Sequence, residues 1–196
     1  MVLVLDGIVG PDEVAHLTHR IRHGPDPDAA AAHLGGAVRA GLAAHPLFTA
    51  AVQPKHLGDV VLHGLTAGDS APPLSDEAAL RSDVALTVFL TPPEEYEGGD
   101  LVLDTGYGEE HYRGPVGRAV AYPTGALARR AEVRRGACWT ADILVESRIR
   151  DGAQRDILYA IASSEQYLGL FAAGAVADRA RLRRCRERLS RMWCER

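Results

Sequence analysis

Val84-Ala-Leu-Thr-Val-Phe-Leu90 is a short apolar run closed at once by Thr91-Pro92-Pro93, and its reading decides the fold of the chain. A run of that length, rich in β-branched residues and stopped by proline, reads as a buried strand. Comparable runs stand at 47–53, 57–65, 100–104, 117–122 and 137–145, separated by loops such as Glu97-Gly98-Gly99. Residues 2–5 add a short strand. Pro11-Asp12-Glu13 opens a helix through about Ile21, with acids in its first turn, and an alanine-rich helix follows over 28–44, weakened at Gly35-Gly36. Helix returns from about 152 to the end. The pattern predicts one domain that is mainly β, an antiparallel barrel or sandwich over 47–150, with helical support over 1–46 and C-terminal helices over 151–196.

The bulk composition narrows the function classes. At 196 residues, with 46% apolar and 24% charged residues, the chain is long enough to bury a real core. A formal net charge of −4 argues against general nucleic-acid affinity. No apolar run approaches the length of a membrane span, which needs about 18 residues. The opening MVLVLDGIVGPDEV has neither the basic start nor the long apolar stretch of a signal peptide. Cys138, Cys185 and Cys194 lack CxxC spacing and suit a reduced cytoplasm better than a disulfide framework. Lys55 is the only lysine in a chain rich in arginine and alanine, the composition of a GC-rich bacterial genome. In the arginine-dense segment from Asp178 to Arg196, Leu182, Cys185, Leu189 and Met192 or Trp193 form one apolar stripe. That stripe predicts a docked surface helix; a homodimer contact is the competing reading, and nucleic-acid binding a more distant one.

Three segments in order carry a resemblance: Arg81-Ser-Asp-Val-Ala-Leu-Thr-Val-Phe-Leu90, Glu95-Tyr-Glu-Gly-Gly-Asp-Leu101 and Ala121-Tyr-Pro-Thr-Gly-Ala-Leu127. With His45-Pro-Leu-Phe48, Tyr107-Gly-Glu-Glu-His111 and Ile149-Arg-Asp-Gly-Ala-Gln-Arg155, they resemble the bacterial PKHD-type (prolyl/lysyl hydroxylase-like) iron(II)/2-oxoglutarate dioxygenases over roughly 45–168. The resemblance implies a double-stranded β-helix (jelly-roll) core. It also implies a 2-His-1-carboxylate triad for Fe(II) and an arginine for 2-oxoglutarate. At the matching positions stand Thr66 and Gly68 for the first histidine and the aspartate, Ala128 for the distal histidine, and Cys138 for the arginine. No histidine follows His111. Shifting the loop recovers Asp69 as a carboxylate, while His63, three residues before Thr66, points to the opposite face of its strand. An unorthodox metal set of Asp69, Asp142 and Cys138 stays open. The favoured expectation is a barrel without metal or cofactor.

Alternation along Ala137–Val145 separates an apolar odd set (Ala137, Trp139, Ala141, Ile143, Val145) from an even set of Cys138, Thr140, Asp142 and Leu144. Because Cys138 matches a family cavity position, the even set lines the interior, and Asp142 points into a pocket as a general acid or base. The competing reading pairs Asp142 with an arginine of a neighbouring strand; Arg130 is a candidate partner or anion anchor, although its place near a turn favours a solvated surface arginine. Thr66, Asp69, Tyr122, Ala128, Cys138 and Thr140 complete the expected pocket, with Cys138 as a small lining residue. His16, His19 and His23 have the spacing of a loose metal motif but belong to an exposed helix end. Gly98-Gly99 is a turn and no phosphate loop, since no Lys-Ser/Thr follows. Three functions remain: a metal-independent cyclase or isomerase of small-molecule metabolism, a non-catalytic metabolite-binding or regulatory protein, and a Fe(II)/2-oxoglutarate dioxygenase with atypical ligands.

Overall fold

A computed structural model of the chain describes residues 2–23, 25–71, 81–104, 106–172 and 174–194. The elements follow in the order β1 (Leu3–Leu5), α1 (Pro11–His23), α2 (Pro27–Ala44), α3 (Pro46–Val52), β2 (Pro54–Thr66) and β3 (Val84–Phe89). After them come β4 (Glu97–Gly98), β5 (Leu101–Asp104), β6 (Glu109–Tyr112), β7 (Ala119–Pro123), β8 (Leu127–Arg130), β9 (Val133–Arg135) and β10 (Ala137–Ser147). Helices α4 (Gly152–Phe171) and α5 (Val176–Trp193) close the chain.

Alternation along the strands sorts the core into layers. A five-stranded antiparallel sheet runs in the order β1-β7-β3-β10-β2. One of its faces presents Val84, Leu86 and Val88 of β3, Ala119 and Ala121 of β7, and Ala141, Ile143 and Val145 of β10. Val14 and Leu17 of α1, Leu34, Val38 and Leu42 of α2, and Phe48, Ala51 and Val52 of α3 cover that face. The opposite face presents Ala85, Phe89, Val120 and Tyr122 to Leu101, Leu103 and Ala128 of the smaller sheet β6-β5-β8. A two-stranded ladder, β4-β9, closes one end. The site lies between the two larger sheets.

Two expectations from the sequence are corrected. The expected strand at 47–53 is instead helix α3 (Pro46–Val52) with Gln53 as its C-cap, because Pro46 sits at the first helical position and His45 Nδ1 accepts from Phe48 N at 3.4 Å. Its buried Phe48, Ala51 and Val52 recur at three and four residues. The apolar stripe of α5 is the second correction. No residue of α5 is buried, Cys185 is exposed and Met192 is 73% exposed. The helix docks through polar contacts instead: Glu165 of α4 accepts from Arg183 Nε at 2.7 Å and Arg186 Nε at 3.3 Å, and Ser190 Oγ donates to Gln53 Oε1 at 3.1 Å. The end of the expected stripe segment, residues 195 and 196, lies outside the described residues. Among the described residues no helix is long and apolar enough to cross a membrane.

The motifs that carry the resemblance hold this frame together. Asp83 Oδ2 accepts from Arg81 Nη2 at 3.0 Å and from Ser147 N at 2.9 Å, while Arg81 Nη2 also donates to Ser147 O at 2.7 Å. Together they lock the start of β3 to the end of β10. Gly98 has φ +79°, and a Cβ there would sit 2.0 Å from Glu132 O, so only glycine fits. Asp100 accepts from Arg113 Nε at 2.7 Å, and the Arg113 guanidinium lies 5.0 Å above the Tyr96 ring. Asp151 caps α4 by accepting from Ala153 N at 2.8 Å and Gln154 N at 3.1 Å. Buried Arg155 donates to Ile149 O at 2.7 Å and Arg150 O at 2.8 Å.

Candidate functional site

The inner face of β10 carries Cys138, Thr140 and Asp142, as its alternation predicts, and all three are buried. Register places Thr87 of β3 and Val61 of β2 beside Asp142, and His63 of β2 beside Thr140. From the opposing sheet, the alternating exposure of β8 turns Ala128 and Arg130 inward and leaves Leu127 exposed. Arg130 then crosses the interior.

These side chains form one polar cluster between apolar layers. Arg130 Nη2 donates to Asp142 Oδ1 at 2.9 Å, to Thr87 Oγ1 at 3.0 Å and to Thr140 Oγ1 at 3.2 Å. Thr87 Oγ1 in turn donates to Asp142 Oδ1 at 2.6 Å. Arg130 is 6% exposed and Asp142 8% exposed, so the ion pair stands largely out of water. Arg130 Nη1 is buried and has no hydrogen-bond partner. His63 Nε2 lies 3.6 Å from Asp142 Oδ2, too long for a hydrogen bond. The Tyr122 phenol is pushed up, first by burial and then by the Asp142 charge, against the opposing effects of Thr87 and Arg130.

The expected pocket is therefore partly assembled. Arg130, Asp142, Thr140 and Tyr122 come together. Ala128 belongs to the apolar cluster of Phe89, Leu101, Leu103 and Val120 and touches no part of the ion pair by hydrogen bond. Cys138 sits in a separate apolar group with Tyr96, Val133 and Leu65. Its thiol is pushed up by burial, which outweighs the nearby Arg130 charge. Thr66 and Asp69 are both exposed: Thr66 N and Oγ1 each donate to Asp69 Oδ2 at 2.8 Å, closing a surface turn. These two bonds hold the Asp69 carboxyl below its ordinary value. Their place in the pocket is corrected.

Two inner-face residues escape the sequence reading. Thr87 was legible as the one hydroxyl in an otherwise apolar strand, Val84–Phe89. His63 was assigned away from the cavity by counting from Thr66. That count is right, but Thr66 is the residue that faces outward, so His63 points in. His16, His19 and His23 of α1 are remote from this cluster; the His19 and His23 rings meet in a tilted contact with centroids 5.2 Å apart.

The described residues do not assemble an Fe(II) facial triad. Among the described residues no three His, Cys, Asp or Glu side chains converge to hold a metal. His63 is the histidine beside an inner carboxylate, whereas His111 lies against Asp100 and Glu109, and His33 against Glu13. One oxygen of Asp142 is already bonded to a guanidinium, whose positive charge opposes a second cation beside it. The position that the resemblance gives to the 2-oxoglutarate arginine holds Cys138, and a Cβ on Gly99 would lie 3.2 Å from Cys138 Cβ, so the Gly99 backbone packs against this side chain.

Two facing antiparallel sheets with helices packed on the outer face of the larger one define the double-stranded β-helix class. A prolyl hydroxylase from Trichoplax adhaerens, solved with a hypoxia inducible factor peptide fragment, matches 74% of this chain and 82% of its own with a TM-score of 0.54 at 7% identity. At that identity the likeness speaks for the fold alone. No family model matches the chain. Sequence relatives are closer. A PKHD-type hydroxylase of Paraburkholderia phymatum is 33% identical over 174 residues, 84% of this chain and 76% of that one. Another, from Thermosynechococcus vestitus, is 35% identical over 165 residues, 81% and 73% of the two chains. The chain belongs to the PKHD-type hydroxylase family.

Proposed function

We propose that this member of the family binds a small organic molecule between its two sheets and does so without iron. The observation that carries the reading is the Arg130–Asp142 pair: the carboxylate buried between the sheets is held by an arginine and a threonine. Buried charge of this kind is costly unless it is paired and hydrogen-bonded, and here three hydroxyl and carboxylate groups surround one guanidinium. The chemistry the cluster supports is recognition by hydrogen bonding, with Asp142 as the group able to accept a proton from a bound molecule. No observation selects cyclisation or isomerisation.

A second reading has its own support. The relatives carry the name hydroxylase, which favours oxygenase chemistry over a cyclase or isomerase. Under it, iron would be held by a donor set other than two histidines and a carboxylate. One assay separates the two readings. The purified chain, reconstituted with Fe(II) and supplied with 2-oxoglutarate and oxygen, forms no succinate above the protein-free rate under the first reading. Succinate formed in proportion to protein, and lost in Asp142→Asn, supports the second and ends the first.

A further inference from the structure

We infer that the interior site selects a neutral ligand presenting a hydrogen-bond acceptor beside a donor, as a carboxamide does, and disfavours carboxylates. The inference rests on the reading of the interior as a small-molecule site and names the chemistry of what enters it. Arg130 and Asp142 carry opposite unit charges and are bonded at 2.9 Å, so the cluster has no net charge to offer an anion. A carboxylate brought to Arg130 would stand beside the Asp142 carboxylate, a like charge in a poorly solvated space.

The hydrogen-bonding capacity left over is of another kind. Nη2 of Arg130 is shared among Asp142, Thr87 and Thr140, while Nη1 of the same planar group is buried with no partner. A buried donor left unpaired costs about 1–3 kcal/mol, so an acceptor that reaches Nη1 recovers a real penalty. On the carboxylate, Oδ1 accepts from Thr87 and Arg130, and among the described residues Oδ2 has His63 nearby at 3.6 Å, beyond hydrogen-bond reach. The bonded pair thus carries one unmet donor on the arginine and one under-used acceptor on the aspartate. A primary amide presents C=O and N–H side by side and satisfies both. 2-Oxoglutarate, a dianion, satisfies the first and is repelled by the second.

Glutaramide and glutarate share a carbon skeleton and differ in charge, which makes them a matched pair of probes. Ligand-observed NMR with the full chain should show glutaramide binding at least about tenfold tighter than glutarate. Asp142→Asn leaves the Arg130 charge uncompensated and should reverse that order. Should D142N not fold, the double variant R130Q/D142N removes both charges, keeps donor and acceptor, and should retain the preference for glutaramide. Equal or tighter binding of glutarate or 2-oxoglutarate by the unmodified chain overturns the inference and leaves the iron-free reading standing. Binding of neither probe by the chain or its variants also overturns it, while the succinate assay judges the iron-free reading separately.

Discussion

Arg130 and Asp142 belong to strands of different sheets and meet at 2.9 Å across the space between them. The pair joins β8 to β10 beside the apolar contacts between the sheets, made by the cluster of Phe89, Leu101, Leu103, Val120 and Tyr122. Its removal should thus be felt in stability. Arg130→Met strands a buried carboxylate and should cost about 3 kcal/mol, whereas R130M combined with Asp142→Leu should recover most of that loss. Denaturant unfolding of the two variants checks the order. Equal stability of R130M and the unmodified chain would show that the pair contributes nothing to the fold.

The surface turn makes a contrasting case. Thr66 and Asp69 bond each other and no residue of the cluster. Thr66→Val and Asp69→Asn should leave glutaramide binding within about twofold, while Thr87→Val should weaken it, because Thr87 orients both Arg130 and Asp142. NMR titration of the three variants side by side measures this. A large loss in T66V or D69N would return that turn to the site.

Glu165 ties the terminal helix to the body and gives that contact a pH dependence. Burial opposes its ionisation, but the Arg183 hydrogen bond and the Arg186 and Arg183 charges outweigh burial and hold the carboxyl below its ordinary 4.5. A group depressed in the folded state contributes stability above its unfolded pKa and loses it as pH falls through the folded one. Protection of α5 amides from hydrogen exchange should therefore be full at neutral pH and fall below about 4.5. Glu165→Gln should show the low-pH protection level at all pH values.

Asp83 accepts from Nε and Nη2 of Arg81 and from Ser147 N at the junction of β3 and β10. Asp83→Ala leaves the Ser147 amide without this acceptor and should destabilise the chain by about 1–3 kcal/mol. Probe affinity, measured on the folded fraction, should not change, because the residue is remote from the Arg130 cluster in hydrogen bonding.

Much of this architecture was legible in the sequence, for identifiable reasons. β10 is long and alternating, so one anchor, Cys138, assigned both faces correctly; Arg130, favoured as a solvated surface residue because it lies near a turn, is instead the buried partner of Asp142. β2 is equally long, yet its anchor was Thr66, the terminal residue, where the chain already turns outward to bond Asp69. Counting back from that end sent His63 to the wrong side. The segment Pro46–Val52 was ambiguous by periodicity alone, and its helix is decided by a proline and a capping imidazole. Strands β6, β8 and β9 are three or four residues long and rich in Glu and Arg, so they carried no apolar signal to read. The shared motifs were legible because they build the frame: Asp83, Gly98, Asp100 and Arg155 all hold backbone or strand ends in place. The interior cluster was only half legible, since it depends on which residues of two sheets meet.

Iron content after anaerobic loading tests the central claim most directly. The chain is incubated with excess Fe(II), freed of unbound metal, and assayed by elemental analysis beside Asp142→Asn and His63→Ala. The account predicts far less than one iron per chain in all three, with no difference among them. One iron per chain, lost on changing Asp142 or His63, would contradict it.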